Sequence, residues 1–232
     1  MTDIPILWSD QDLLVINKPA GMLSLPDGYD PSLPHVKSVL SPIYGDLWIV
    51  HRLDRETSGV MVLAYNADAH QGLNTQFQNR VVKKVYLALV LGCPDWDQKI
   101  VQLPLRTNVG RRHRTIVDRD EGKQSETRFD VLERFMDFCM IEARPGTGRR
   151  HQIRAHLSSE GYPIAFDSLY GPRQTDFAVH FQGEINPGEP VMERTALHAS
   201  SIEFTHPGSG QSCHIEAPLA RDMHLALRLL RS

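Results

Sequence analysis

No two cysteines in this chain form a CxxC pair, and the three present, Cys93, Cys139 and Cys213, are widely spaced and odd in number. That argues against a disulfide framework and a structural zinc site, and it fits a reducing, cytoplasmic setting. The first residues, Met1 to Pro5, lack the charged region and apolar run of a signal peptide. No apolar stretch is long enough to span a bilayer, so no membrane partner is expected. The sequence has no GxSxG elbow, no Walker loop and no GxGxxG turn, which removes three large classes of enzyme. Repeats, low-complexity tracts and linkers are also missing, so a single domain over residues 1–232 is expected. At 41% hydrophobic and 23% charged residues, the composition is that of an ordinary globular chain.

Acids are absent from three stretches, although the net charge is −3. Residues 69–94 hold Arg80, Lys83 and Lys84 without a carboxylate, residues 108–117 hold Arg111, Arg112 and Arg114, and residues 143–159 hold Arg144, Arg149, Arg150 and Arg154. Brought together, these would form a basic cleft on an acidic body. Held apart, they are solvated arginines.

What is present reads mostly as strands. Ile6–Trp8, Leu13–Asn17, Leu47–Val50, Val60–Tyr65, Val81–Leu91, Ile116–Val117, Thr127–Leu132, Phe138–Ala143, Leu197–Thr205 and Ser212–Ala217 are β-prone runs separated by turn residues. Helical spacing appears over 67–79, 149–159 and 219–230, and residues 26–46 read as a loop with a short helix. Residues 171–195 read as a second long loop. Strands that follow one another through hairpins predict an α+β fold with a mixed, mostly antiparallel sheet, flanking helices and a central cleft.

Asp54 stands in His51-Arg52-Leu53-Asp54-Arg55-Glu56-Thr57-Ser58-Gly59, a turn that runs into an apolar strand. Such an aspartate either caps a local N–H or is held as a nucleophile. On a helix over 149–159, Arg150 and Arg154 would share one face while Ile153 and Leu157 anchor another. A partly buried arginine needs an acid, and a nucleophilic carboxylate must stay ionised, so an Asp54–Arg154 pair would serve both. Tyr86, on a strand, is either a core residue with its hydroxyl at the rim or a surface for a nucleobase. Arg52, two residues before Asp54, could contact phosphate or fill the gap left by an extruded base. His151 and His156 are five apart and do not share a helix face as metal ligands do.

These pieces resemble, in order, the motifs of RluA-type pseudouridine synthases. The match takes in Asn17-Lys18-Pro19-Ala20-Gly21-Met22, then His51-Arg52-Leu53-Asp54 with Thr57-Ser58-Gly59, then Lys84-Val85-Tyr86. It continues through Gly148-Arg149, His151-Gln152-Ile153-Arg154 and His156-Leu157 to Leu197-His198-Ala199, Thr205-His206-Pro207 and Ala217-Pro218. Two departures stand out. Phe166 precedes Asp167 where the family carries glycine, and the chain is expected to resemble the shorter members, which start on the catalytic core without a small N-terminal RNA-binding domain.

The resemblance implies isomerisation of uridine to pseudouridine in ribosomal RNA, transfer RNA or both, by a monomer with no cofactor and no metal. Asp54 would be the nucleophile, Arg154 its charge partner, and Tyr86 would pack on the base and assist removal of the C5 proton. Arg52 would replace the flipped uridine, and Ile153 would form part of the pocket wall. His51, Lys83, Lys84, Arg149 and Arg150 complete the RNA- and substrate-binding set. A non-catalytic RNA-binding or RNA-folding module on the same fold is the alternative. A metal-dependent hydrolase using the eleven histidines is a third reading with little behind it.

Overall fold

A computed structural model describes residues 4–172 and 191–232. The chain divides into two compact units, Met1–Val85 with Ala199–Pro218, and Tyr86–His198 with Leu219–Ser232. The chain passes between them three times, within the strands β5 (Lys83–Leu91) and β11 (Leu197–Thr205) and again between Pro218 and Leu219.

In the first unit β1 (Ile6–Ser9), β2 (Leu13–Lys18) and β4 (Ser58–Ala64) pair antiparallel in that order, and β11 follows β4. β12 (Ser212–Glu216) pairs with β11, and the short β3 (Trp48–Ile49) pairs with one end of β4. Every residue of β4 is buried, as its unbroken apolar run requires of a strand covered on both faces. α1 (Val36–Tyr44) and α2 (Ala67–Gln78) belong to this unit. His35 caps α1 by accepting from the Ser38 N–H, and Asn66 caps α2 by accepting from the Ala69 N–H. Each helix therefore begins where a side chain satisfies an orphan donor.

In the second unit β5, β10 (Phe138–Pro145), β9 (Thr127–Arg134) and β6 (Gln98–Val101) pair antiparallel in that order. β7 (Leu105–Val109) and β8 (Arg114–Val117) form a separate hairpin. α3 (Gln152–Ser159) and α4 (Arg221–Leu230) pack Ile153, Leu157, Met223, Ala226 and Leu227 into a core with Val90, Phe129, Phe138 and Ile141.

The α+β class predicted from the strand runs holds. β6 and β7 were not foreseen, because Gln98-Lys99-Ile100-Val101 and Leu105-Arg106-Thr107-Asn108-Val109 are too polar to stand out. The expected helix over 149–159 starts late, at Gln152, with His151 in the left-handed region at φ 52°. The reason is the Gln152 side chain. Its Oε1 accepts from Thr147 Oγ1 (2.6 Å) and the Arg149 N–H (3.0 Å), and its Nε2 donates to the Glu126 carbonyl (2.8 Å). The incoming turn is fixed in a non-helical path, so Arg150 lies outside the helix and does not share its face with Arg154. Most of the loop expected over 171–195 lies outside the described residues.

Candidate active site

The turn that carries Asp54 is tied down on every side within the first unit. Before it, the His51 ring stacks on Phe77 of α2, with centroids 4.9 Å apart, and Nε2 accepts the Val62 N–H of β4 at 3.0 Å. That acceptor role places the ring proton on Nδ1. Burial, with the Lys84 charge nearby, pushes the His51 imidazole down to about 3. At Leu53, one hydroxyl serves both peptide groups: Ser24 Oγ donates to the carbonyl (2.8 Å) and accepts from the N–H (3.0 Å).

After Asp54, the Arg55 carbonyl accepts from the Gly21 N–H (2.9 Å) and from Lys18 Nζ (3.2 Å). Arg55 Nε returns a bond to the Gly21 carbonyl (3.0 Å). Lys18 is wholly buried and also donates to the carbonyls of Pro19 and Met22. The Asp54 carbonyl accepts from the Thr57 N–H at 3.1 Å, which closes the turn. Gly59 then has φ 116°, and a Cβ there would lie 2.1 Å from the Ala199 carbonyl oxygen, so only glycine fits. The half-buried Asp54 carboxylate is carried on a backbone with little freedom to move.

The second unit holds Arg154, Tyr86 and Ile153. Arg154 is buried, and its Nε and Nη2 donate to the two oxygens of Asp167 at 2.7 and 2.8 Å. Asp167 is itself buried and also accepts the N–H groups of Leu169 and Tyr170. The Tyr170 ring lies 5.0 Å from the guanidinium carbons of both Arg154 and Arg114. A carboxylate on one edge and a ring on the face fix the Arg154 guanidinium in place. Burial raises the Tyr170 hydroxyl above its ordinary value, and that hydroxyl accepts the Thr115 N–H at 2.7 Å. Phe166, where glycine was expected, has φ 59°. The left-handed backbone that suits glycine is thus kept with a phenylalanine, whose ring packs on the core. Tyr86 is half-buried opposite Ala143 of β10, and Ile153 lies in the core.

The basic segments separate by partner. Arg106 pairs with Asp118 and Glu121, and Arg144 with Asp130 and Glu142. Arg112, Arg114, Arg149 and Arg150 have no carboxylate partner among the described residues. They gather at one end of the second unit, where Arg150 donates to Asn108, Arg149 to the Gln124 carbonyl, and Thr115 Oγ1 to the Arg150 carbonyl. Arg52 is exposed with no ionic partner among the described residues. Lys83 is exposed and paired with Glu203 at 2.7 Å. Lys84 is half-buried, with its ammonium shifted down by that burial.

Residues 12–159 match the family model described as RNA pseudouridylate synthase. The chain belongs to that family. The ribosomal large subunit pseudouridine synthase C of Salmonella typhi is 40% identical over 98% of this chain and 70% of its own length. An uncharacterized RNA pseudouridine synthase of Bacillus subtilis is 37% identical over 99% of this chain and 73% of its own. The solved structure of human RNA pseudouridylate synthase domain containing 4 superposes with a TM-score of 0.78 at 25% identity, covering 98% of this chain and 93% of that one. The protein is therefore an RNA pseudouridine synthase, and catalysis displaces the non-catalytic alternative. Sequence reasoning did not single out Ser24 and Lys18, which hold the Asp54 turn, or Asp167 and Tyr170, which hold Arg154. Ser24 lies two residues past the Asn17–Met22 motif, and Lys18 lies two residues past the apolar run Leu13–Ile16.

Proposed function

We propose that this pseudouridine synthase modifies ribosomal RNA with Asp54 as nucleophile. The observation that carries the reading is the turn at Asp54, bonded through its neighbours to three segments of the first unit. A nucleophile gains when its backbone is fixed before substrate arrives, because the entropy of positioning is lost in folding rather than in the reaction.

The Asp54 carboxylate attacks the uridine at the sugar C1′ or the base C6. The N1–C1′ bond breaks, the uracil turns, a C5–C1′ bond forms, and the bond to Asp54 breaks to return the free carboxylate. The proton on C5 leaves and N1 takes one up, so atoms and electrons balance with no oxidant or reductant, and the reading needs neither cofactor nor metal. Arg154, held by Asp167 and Tyr170, is the positive charge partner of the nucleophile. Tyr86 packs on the base and assists removal of the C5 proton, with Ile153 behind it in the wall. A uridine within RNA must leave its stack to meet Asp54, and the exposed Arg52 fills the gap.

Arg112, Arg114, Arg149 and Arg150 contact phosphates, with Lys84 and His51 lining the base of the Asp54 turn. Lys83, already paired with Glu203, contributes least. Residues 1–232 act as one catalytic domain, monomeric and cytoplasmic. Support for ribosomal RNA comes from relatives named for the large ribosomal subunit, and transfer RNA is the second candidate. The test is tritium release from RNA labelled at C5 of uridine, run separately on ribosomal and transfer RNA that lack pseudouridine. Release from ribosomal RNA is expected; release from transfer RNA alone would overturn the choice of substrate.

A further inference from the structure

The geometry points to Ser24 as a positioning residue for Asp54, an inference that rests on Asp54 being the nucleophile. Ser24 is buried, and so is Leu53, the residue just before Asp54. A peptide group buried away from water must find a partner within the protein. At Leu53 both groups find the same one, since the Ser24 hydroxyl donates to the carbonyl and accepts from the N–H. A hydroxyl can do this because it carries one donor and two acceptor positions, whereas alanine or valine offers neither.

The carbonyl that accepts from Ser24 belongs to the peptide whose nitrogen is that of Asp54. The Ser24 bond therefore fixes the plane from which the Asp54 side chain leaves the backbone. On the far side, the Arg55 carbonyl is held by the Gly21 N–H and by Lys18 Nζ. The Asp54 residue is suspended between two attachments to one short hook, residues 18–24. Of these, Ser24 is attached through its side chain, and among the described residues both bonds of that hydroxyl go to Leu53, the nucleophile's neighbour. The buried β2 and β4 strands form their pairing without Ser24. Loss of Ser24 should thus be felt first as displacement of the carboxylate.

The test compares wild type with Ser24→Ala, Ser24→Thr and Asp54→Asn, using C5 tritium release on ribosomal RNA. Melting temperature and RNA binding are measured on the same preparations. A small misplacement of a reacting group costs on the order of 10²-fold in rate. Ser24→Ala is expected to lower kcat by about 10- to 100-fold with KM and RNA affinity nearly unchanged, and Ser24→Thr, which keeps the hydroxyl, to recover most of it. If Ser24→Ala does not fold, Ser24→Cys keeps the shape with only a weak donor and acceptor, and a fall in its kcat is expected at wild-type RNA affinity. An unchanged kcat in folded Ser24→Ala or Ser24→Cys overturns the inference, as does a loss that Ser24→Thr does not recover. Turnover retained in Asp54→Asn would instead overturn the assignment of the nucleophile, and the two failures are told apart by which variant stays active.

Discussion

His51 shows how one side chain can be read differently from sequence and from structure. The sequence pattern places it in the substrate-binding motif, while the structure makes it a neutral acceptor for the Val62 N–H, stacked on Phe77. Its unfolded imidazole titrates near 6.5 and its folded one near 3, so between those values only the unfolded chain takes up the proton. Stability from this group is therefore complete above pH ~6.5 and is lost as the pH falls towards 3. His156 acts in the same direction, its imidazole lowered by burial where Nε2 donates to the Leu103 carbonyl and Nδ1 accepts from Thr127. The expected outcome is a urea midpoint that declines between pH 6.5 and 4.5, and declines less in His51→Gln, because His156 remains in both proteins. Equal slopes in wild type and variant would show that His51 does not carry this linkage.

Elements decide how much of the fold could be read in advance. β4 and the β5 run were legible because long apolar β-branched stretches have few other solutions. α2 was legible from its helical spacing. The start of α3 was not, because Gln152 acts through partners at Thr147 and Glu126 that no local rule connects. Asp54 stood out as a candidate because its motif is contiguous. Ser24 and Asp167 did not, because their meaning lies in a bond to a distant peptide and to a distant guanidinium. Phe166 is a further case, since its φ of 59° preserves a conformation that the sequence at that position disfavours.

The junction of β4 and β11 gives the sharpest test at this scale. Gly59→Ala drives a Cβ into the Ala199 backbone, whereas Gly21→Ala, at φ 81°, meets nothing within 4 Å. Gly21→Ala should cost about 1–2 kcal/mol from backbone strain alone. Gly59→Ala should cost several times that or prevent folding. Comparable melting temperatures for the two variants would contradict the close approach of β4 and β11.

Taken as a whole, the molecule carries a net charge of −3 and must nonetheless bind a polyanion. The structure answers this by neutralising some arginines and leaving others without acids. Arg112, Arg114, Arg149 and Arg150 form the receptive group of the proposed function, while Arg106 and Arg144 are paired with carboxylates. Each phosphate contact contributes roughly 0.7 to the slope of log affinity against log salt for a single strand. Replacing the four receptive arginines by glutamine should lower affinity for ribosomal RNA and flatten that slope by about 2–3, whereas replacing Arg144 should leave the slope nearly unchanged. Equal effects from the two sets would contradict this division of roles.

The central claim is that a rigidly held Asp54 performs the isomerisation, and one comparison tests it most directly. Wild type and Asp54→Ala are assayed for tritium release from C5-labelled ribosomal RNA, with RNA binding measured in parallel. The account predicts release by the wild type, none by Asp54→Ala, and similar RNA affinity for both. Release by Asp54→Ala at a rate near that of the wild type would contradict it.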